Sequence, residues 1–155
     1  MCIRDRVSVV EANERGTVTN LPIPRFVSMK VSEGFVRRGP SKLHRIDWVY
    51  KHRNTPLMVT GEYEHWRRVQ DVDGQGGWMH FRLLSGTRTV VFKSEKSPVK
   101  RRNYEGADTV FFAEKGVIGN LDECNPNWCK VYVNKKKGWV LKSHIWGVFE
   151  NELRN

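Results

Sequence analysis

One block of this chain is written twice. His65 to Gly86, HWRRVQDVDGQGGWMHFRLLSG, returns as Asn127 to Gly147, NWCKVYVNKKKGWVLKSHIWG. Trp66, Val69, Gly77-Trp78 and Gly86 stand where Trp128, Val131, Gly138-Trp139 and Gly147 stand in the second copy, with one residue more between the tryptophans of the first. An internal repeat constrains architecture more strongly than any single propensity. Each copy reads as two short strands around a turn. Asp73-Gly74 with Gly76-Gly77 makes the first turn, and Asn134 to Gly138 makes the second. The expectation is two copies of one small β module.

At 155 residues the chain has room for one ordinary domain or two small ones. The repeat favours two, each of about 55 to 65 residues, near the lower size at which a core sustains itself. Six Trp and seven Phe supply the bulk that such small cores need. No apolar run approaches the roughly 20 residues of a membrane span. The net charge of +10 bears on solubility and anionic partners, not on fold. Nucleic acid, anionic lipid and anionic cell-wall polymer all fit it.

There are three cysteines. Cys124 and Cys129 bracket the segment CNPNWC, with no further Cys or His nearby at metal-ligand spacing. They read as a hairpin-closing disulfide of an oxidising compartment, or as two free thiols. A loop this short gives modest entropic stabilisation. Cys2 lies in the leader Met1 to Arg6, MCIRDR, which reads as an artefact of sequence assembly and is set aside. An export signal is then expected to have been lost with the true N-terminus.

Residues 1–23 are expected to be a mostly flexible approach, although Val7 to Val10 has strand character. Pro22 and Pro24 favour extended backbone, and Arg25 to Val31 alternates as a first strand. The first module is placed at residues 24–92. Within it Ile46 to Tyr50, Leu57 to Thr60, the Trp66 strand and Trp78 to His80 are strands, and Phe81 to Leu84 forms a single 3₁₀ turn. Thr87 to Phe92 closes that module or bridges to the next. A linker is expected at 93–98, the second module at 99–150 and a tail at 151–155. In the second module Val99-Lys100-Arg101-Arg102 answers Val36-Arg37-Arg38, and Val110 to Phe112 answers the Trp48 strand. About five short strands per module, with little or no α-helix, point to small all-β barrels or sandwiches.

These residues resemble the bacterial SH3-type domain family. The features that carry the likeness are Arg37 to Ser41 (Arg-x-Gly-Pro-Ser), Trp66-x-x-Val69 and Gly77-Trp78-Met79 before a closing single turn. The closest form is the tandem one of proteobacterial envelope proteins, which the Cys124 to Cys129 segment and Ile145 to Phe149 also resemble. The likeness spans Pro24 to Glu150. It departs at Arg101 to Glu105, where Gly-Pro-Ser would stand, and at Met79, where a β-branched residue is usual. The resemblance implies two tandem SH3-like barrels that act without catalysis in the cell envelope, binding peptide, protein or cell-wall components.

The tryptophans serve either a core or an aromatic groove. The matched Trp66, Trp78, Trp128 and Trp139 are expected inside. Trp48, Tyr50 and Phe81, which lack an aromatic match at every position, are the candidates for partner binding, together with Arg37, Arg38 and Trp146. Basic clusters at Arg37-Arg38, Arg67-Arg68, Lys100 to Arg102 and Lys135 to Lys137 suit anionic envelope polymers or a solvated face. The five His show no metal spacing, and Cys129 with His144 is a weak nucleophile pair, so no enzyme, metal or cofactor is read. The reading is a periplasmic binding or scaffolding module whose partner is a peptidoglycan or other cell-wall component, or an envelope protein. The alternative is a basic nucleic-acid-binding protein of the cytoplasm, marked by free thiols and steeply salt-dependent binding.

Overall fold

The computed structural model describes residues 14–155. The leader, Cys2 and the expected strand at Val7 to Val10 lie outside the described residues. Fourteen strands follow in chain order: β1 Arg25–Met29, β2 Gly34–Arg37, β3 Ile46–Tyr50, β4 Pro56–Tyr63, β5 Trp66–Gln70, β6 Gly76–His80, β7 Leu84–Ser85, β8 Thr89–Phe92, β9 Lys96–Lys100, β10 Thr109–Glu114, β11 Ile118–Cys124, β12 Trp128–Val133, β13 Lys136–Leu141 and β14 Ile145–Trp146. They form two seven-stranded antiparallel sheets, ordered β3-β2-β6-β5-β4-β1-β7 and β10-β9-β13-β12-β11-β8-β14. The second order is the first moved on by seven strands, so the repeat in the sequence is a repeat of topology. Among the described residues only two short 3₁₀ turns, Phe81–Leu83 and Lys142–His144, interrupt the strands. Among the described residues no helix is long and apolar enough to cross a membrane.

Each sheet closes on its own core. Val27, Met29, Val36, Leu57, Val59, Val69 and Met79 fill the first. Val90, Phe92, Val99, Leu121, Val131, Val140 and Ile145 fill the second, with Ala113 and the two bonded cysteines. The repeated glycine before Trp78 and Trp139 has a packing cause. A Cβ on Gly77 would stand 2.7 Å from the Arg37 carbonyl oxygen and 2.8 Å from Val36 Cγ1. At Gly138 the same atoms belong to Lys100, at 2.8 Å, and Val99, at 2.6 Å. In each copy one strand runs so close to its neighbour that no side chain fits between.

Three boundaries differ from expectation. Thr89–Phe92 pairs with β11 and β14, not with the first sheet. It is the counterpart of β1, because Met29 pairs with Leu84 as Phe92 pairs with Ile145. The expected linker at 93–98 holds the start of β9, so the junction shrinks to Gly86-Thr87-Arg88. The tail is also paired: Arg154 and Cys124 exchange two backbone hydrogen bonds of 2.9 and 3.0 Å. Seven strands per module replace the expected five, because β2 and the short β7, with their counterparts in the second module, count as well.

Residues 14–22 of the approach segment are tied to the first sheet. Arg15 bridges Pro22, and the turn between them closes on Glu62. The Glu62 carboxylate accepts from the Val18 and Thr19 amides, both at 2.9 Å, from Thr19 Oγ1 at 2.6 Å and from Arg25 Nη1 at 2.8 Å. A Cβ at Gly16 would collide with that carboxyl group. The Glu62 side chain has no solvent exposure. Burial alone raises its pKa, but the hydrogen bonds from Thr19, Val18 and Arg25 outweigh burial and bring it down to about 2.

The joint between the modules is short and well bonded. Ser28 Oγ donates to the Thr87 carbonyl at 2.7 Å, and Thr89 Oγ1 donates to the Asn54 carbonyl at 2.7 Å. The Phe26 ring, 7% exposed, meets Trp146 edge-on at 5.1 Å and Phe149 at 4.7 Å, with the Arg88 guanidinium 5.4 Å from its centroid. Arg88 grips Glu152 with both terminal nitrogens, at 2.8 and 2.9 Å. Such a two-pronged pair fixes direction as well as distance.

Two outcomes are expected. The Glu62 carboxyl is depressed from 4.5 to about 2 in the folded state, so its stabilisation, roughly 3 kcal/mol, is complete above pH 4.5 and disappears as pH falls toward 2. Urea unfolding of wild type should therefore steepen with pH in that window, and Glu62→Gln should flatten the slope. Gly138→Ala should cost about 1 to 3 kcal/mol in the same assay, because Val99 and the Lys100 backbone must give way.

Candidate functional site

Each module carries an open groove beside the first tryptophan of its repeat. In the first module Trp66 begins β5 opposite His80, which ends β6, and the two rings meet edge-on at 5.4 Å. β6 passes directly into the 3₁₀ turn, where His80 Nδ1 accepts from the Arg82 amide at 3.2 Å. β2 contributes Phe35, which points outward because its neighbours Gly34 and Val36 are buried. Lys42 comes from the β2–β3 loop. Phe35, Arg37, Lys42, Trp66, His80 and Arg82 line a cavity of about 310 Å³. No carboxylate lines it, so its field is positive. Burial, then the Arg82 charge, holds the His80 imidazole below its ordinary pKa.

The Arg-x-Gly-Pro-Ser motif builds the wall of this groove. Arg37 Nη1 donates to the carbonyls of Lys42 and His44, at 3.2 and 3.0 Å, and so holds the loop down. Ser41 Oγ accepts from the Leu43 amide at 3.0 Å. A Cβ at Gly39 would lie 2.5 Å from the exposed His44 ring, which would have to turn aside. Beside the groove, His65, His80 and Phe81 stack with centroids 5.1 to 5.9 Å apart, and the Arg67 guanidinium lies 5.8 Å from Phe81.

The second groove is larger, about 750 Å³. Trp128, Leu141, Tyr104 and Trp146 form its apolar parts, and Lys93, Lys142, Glu105 and Glu150 give it mixed charge. Its Trp128 is fixed from two sides. Cys124 and Cys129 are ladder partners joined by a disulfide, with Cα atoms 4.1 Å apart, so neither thiol is free. Asn125 Oδ1 caps the loop between them by accepting from the Asn127 and Trp128 amides at 2.9 and 2.6 Å. Tyr104 belongs to the loop that stands in place of Gly-Pro-Ser, so that departure supplies part of the groove's lining.

The residues singled out from sequence divide. Arg37 lines the first groove, Phe81 stands beside it 41% exposed, and Trp146 lines the second while its edge packs on Phe26. Trp48 is 41% exposed but does not line the first groove. Arg38 points to Asp47, with Nε 3.3 Å from Oδ2. Tyr50 is not available to a partner. It is buried, and its hydroxyl donates to Asp71 Oδ2 at 2.8 Å. Burial, then that hydrogen bond, pushes its pKa far up.

The tryptophans also need correcting. Trp66 and Trp128 are buried as expected, at 9% and 8% exposure, but they wall the grooves and stand outside both apolar clusters. Trp78 and Trp139 are only half-buried, because strand alternation turns Met79 and Val140 inward instead. Phe35, Lys42, His80 and Arg82 were missed. The signal for Phe35 was its place on a four-residue strand between two inward positions; the others depend on where the loop and the 3₁₀ turn fold back.

Comparison with known proteins gives the family. The profile of the bacterial SH3 domain matches residues 30–86 and again 96–147. Both matches begin just after the first strand of their sheet. Among curated proteins nothing matches the chain. Two solved structures, of NlpC1 and NlpC2 from Trichomonas vaginalis, align with it at 7% identity and a TM-score of 0.38, over 84% and 79% of this chain. The aligned part covers 48% of each of those proteins, so the chain spans about half their length. With a profile matched twice, over two sheets of identical strand order, the chain belongs to the bacterial SH3 domain family and carries the domain in tandem.

Proposed function

We propose that this chain is a non-catalytic binding or scaffolding module of the bacterial envelope, located in the periplasm, whose two grooves take extended peptide segments of the cell wall or of envelope proteins. The observation that carries the reading is the placing of an open, aromatic-walled groove at Trp66 and again at Trp128, at the same step of both repeats. Grooves of this kind suit extended chains, which meet aromatic walls at little conformational cost. The buried disulfide fits an oxidising, extracytoplasmic compartment.

The two grooves are not equivalent. The first presents Arg37, Lys42 and Arg82 without an acidic side chain and suits a carboxylate-bearing segment. Arg37 already spends hydrogen bonds on its own loop, which leaves Lys42 and Arg82 as the freer cations. The second groove, wider and of mixed charge, suits a bulkier and less acidic ligand.

Co-sedimentation with purified peptidoglycan tests the reading. Wild type should pellet at moderate salt, and Phe35→Ala with Arg82→Ala should weaken retention about tenfold or more, as loss of central contacts does. Phe35 is 42% exposed, so that variant should keep its fold, checked by circular dichroism. Wild type remaining in the supernatant would sink direct wall binding. Steeply salt-dependent capture of single-stranded oligonucleotides in its place would favour a nucleic-acid partner.

A further inference from the structure

The second module holds another surface, which shares no lining residue with either groove. Phe111 and Phe112 are consecutive on β10, so they face opposite ways. Phe111 packs against the edge of the core, whereas Phe112 is 54% exposed. The Lys96 ammonium lies 4.6 Å from the Phe112 centroid, and that of Lys136 lies 5.8 Å from Phe111. Phe111, Phe112 and Lys136 border, with Asn134 and Lys135, an open cavity of about 590 Å³, in which Glu114 is the only acidic side chain. Lys135, on the turn between β12 and β13, and Lys136 and Lys137, which open β13, are all exposed.

The repeat supplies an internal control. By ladder register Trp48 and Val49 occupy in the first module the places of Phe111 and Phe112. The turn there, Asp71 to Gln75, carries two aspartates and no lysine. Asp71 is committed to Tyr50 and to the amides of Asp73 and Gln75. The fold thus closes without lysines on this turn, and without a second exposed phenyl beside it.

We propose that this face docks the second module onto an anionic lipid bilayer. Phe112 enters the boundary between headgroups and acyl chains, while Lys96 and Lys135 to Lys137 meet the lipid phosphates. An exposed apolar ring with one ammonium over it, and Lys135 and Lys136 bordering the same cavity, has the complementarity such an interface demands. Single-stranded nucleic acid fits it less well. Each phenyl already has an ammonium over one face, which occupies the platform on which a base would stack. Asn134 is the only uncharged polar side chain lining the cavity, so little is present to read bases or sugars.

Vesicle co-sedimentation of the full chain tests the proposal. Wild type should pellet with vesicles in which about one-third of the phosphatidylcholine is replaced by phosphatidylglycerol, and remain in solution with phosphatidylcholine alone. Changing Lys135, Lys136 and Lys137 together to Gln should weaken this binding by about tenfold or more. Phe112→Ala should also weaken it, whereas both variants should keep wild-type thermal midpoints and wild-type retention on peptidoglycan. Equal binding to both vesicle types, no binding to either, or variants that pellet like wild type would overturn the proposal. So would displacement of the protein from anionic vesicles by single-stranded oligonucleotide, abolished by the same substitutions.

Discussion

The step of the ladder beside each first tryptophan is where these small barrels are held shut. In the first module Glu62 pairs with Arg67 across β4 and β5; in the second, Cys124 pairs with Cys129 across β11 and β12. These are the same positions of the repeat, locked by different chemistry. A covalent bond closes one, and a buried carboxylate with its ring of donors closes the other. In both, the next residue back along the strand is the groove tryptophan, so the lock also sets the groove. Each lock recruits chain from outside its barrel: Glu62 holds Val18 and Thr19, and the Cys124 backbone holds Arg154. Modules of this size have little core to spare, and these added segments supply contacts the barrels cannot make internally.

Arg67 shows what that economy demands. It is 6% exposed, a depth that charged side chains rarely reach without partners. Its Nη1 donates to the Glu64 and Trp66 carbonyls at 2.8 and 2.9 Å, while its Nε lies 4.0 Å from Glu62. The burial is tolerable because Nη1 has two carbonyl acceptors and the Glu62 carboxylate stands nearby. At the matched position Cys129 needs no such company. The first module therefore rests on polar geometry where the second rests on a bond, and the two differ in what disturbs them.

Much of the fold was legible because the repeat is carried by residues with little freedom. A glycine pressed on a neighbouring backbone and a tryptophan at a groove wall both leave a mark in the letters. β8 was harder to place. Its core residue Phe92 answers Met29, and the two share only bulk, so nothing in TRTVVF indicates which sheet receives it. The order of residues 14–22 was hidden for another reason: its cause is a carboxylate more than forty residues away. Tyr50 misled for the same reason, since Asp71 lies on a turn twenty-one residues further on. Trp78 and Trp139 were misjudged where strand period should have decided. Once Gly77 and Gly138 face the adjoining strand, the core position falls on the residue after each tryptophan.

The junction of three residues has a further consequence. With Phe26 seated between Trp146, Phe149 and Arg88, neither barrel can swing without breaking that aromatic packing and the Thr89–Asn54 hydrogen bond. Two recesses so mounted would act as a caliper on a polymer that took both, because their span and angle are preset. Avidity then depends on whether the ligand's own spacing agrees with that span, and a mismatch of a few ångströms forfeits the second contact entirely.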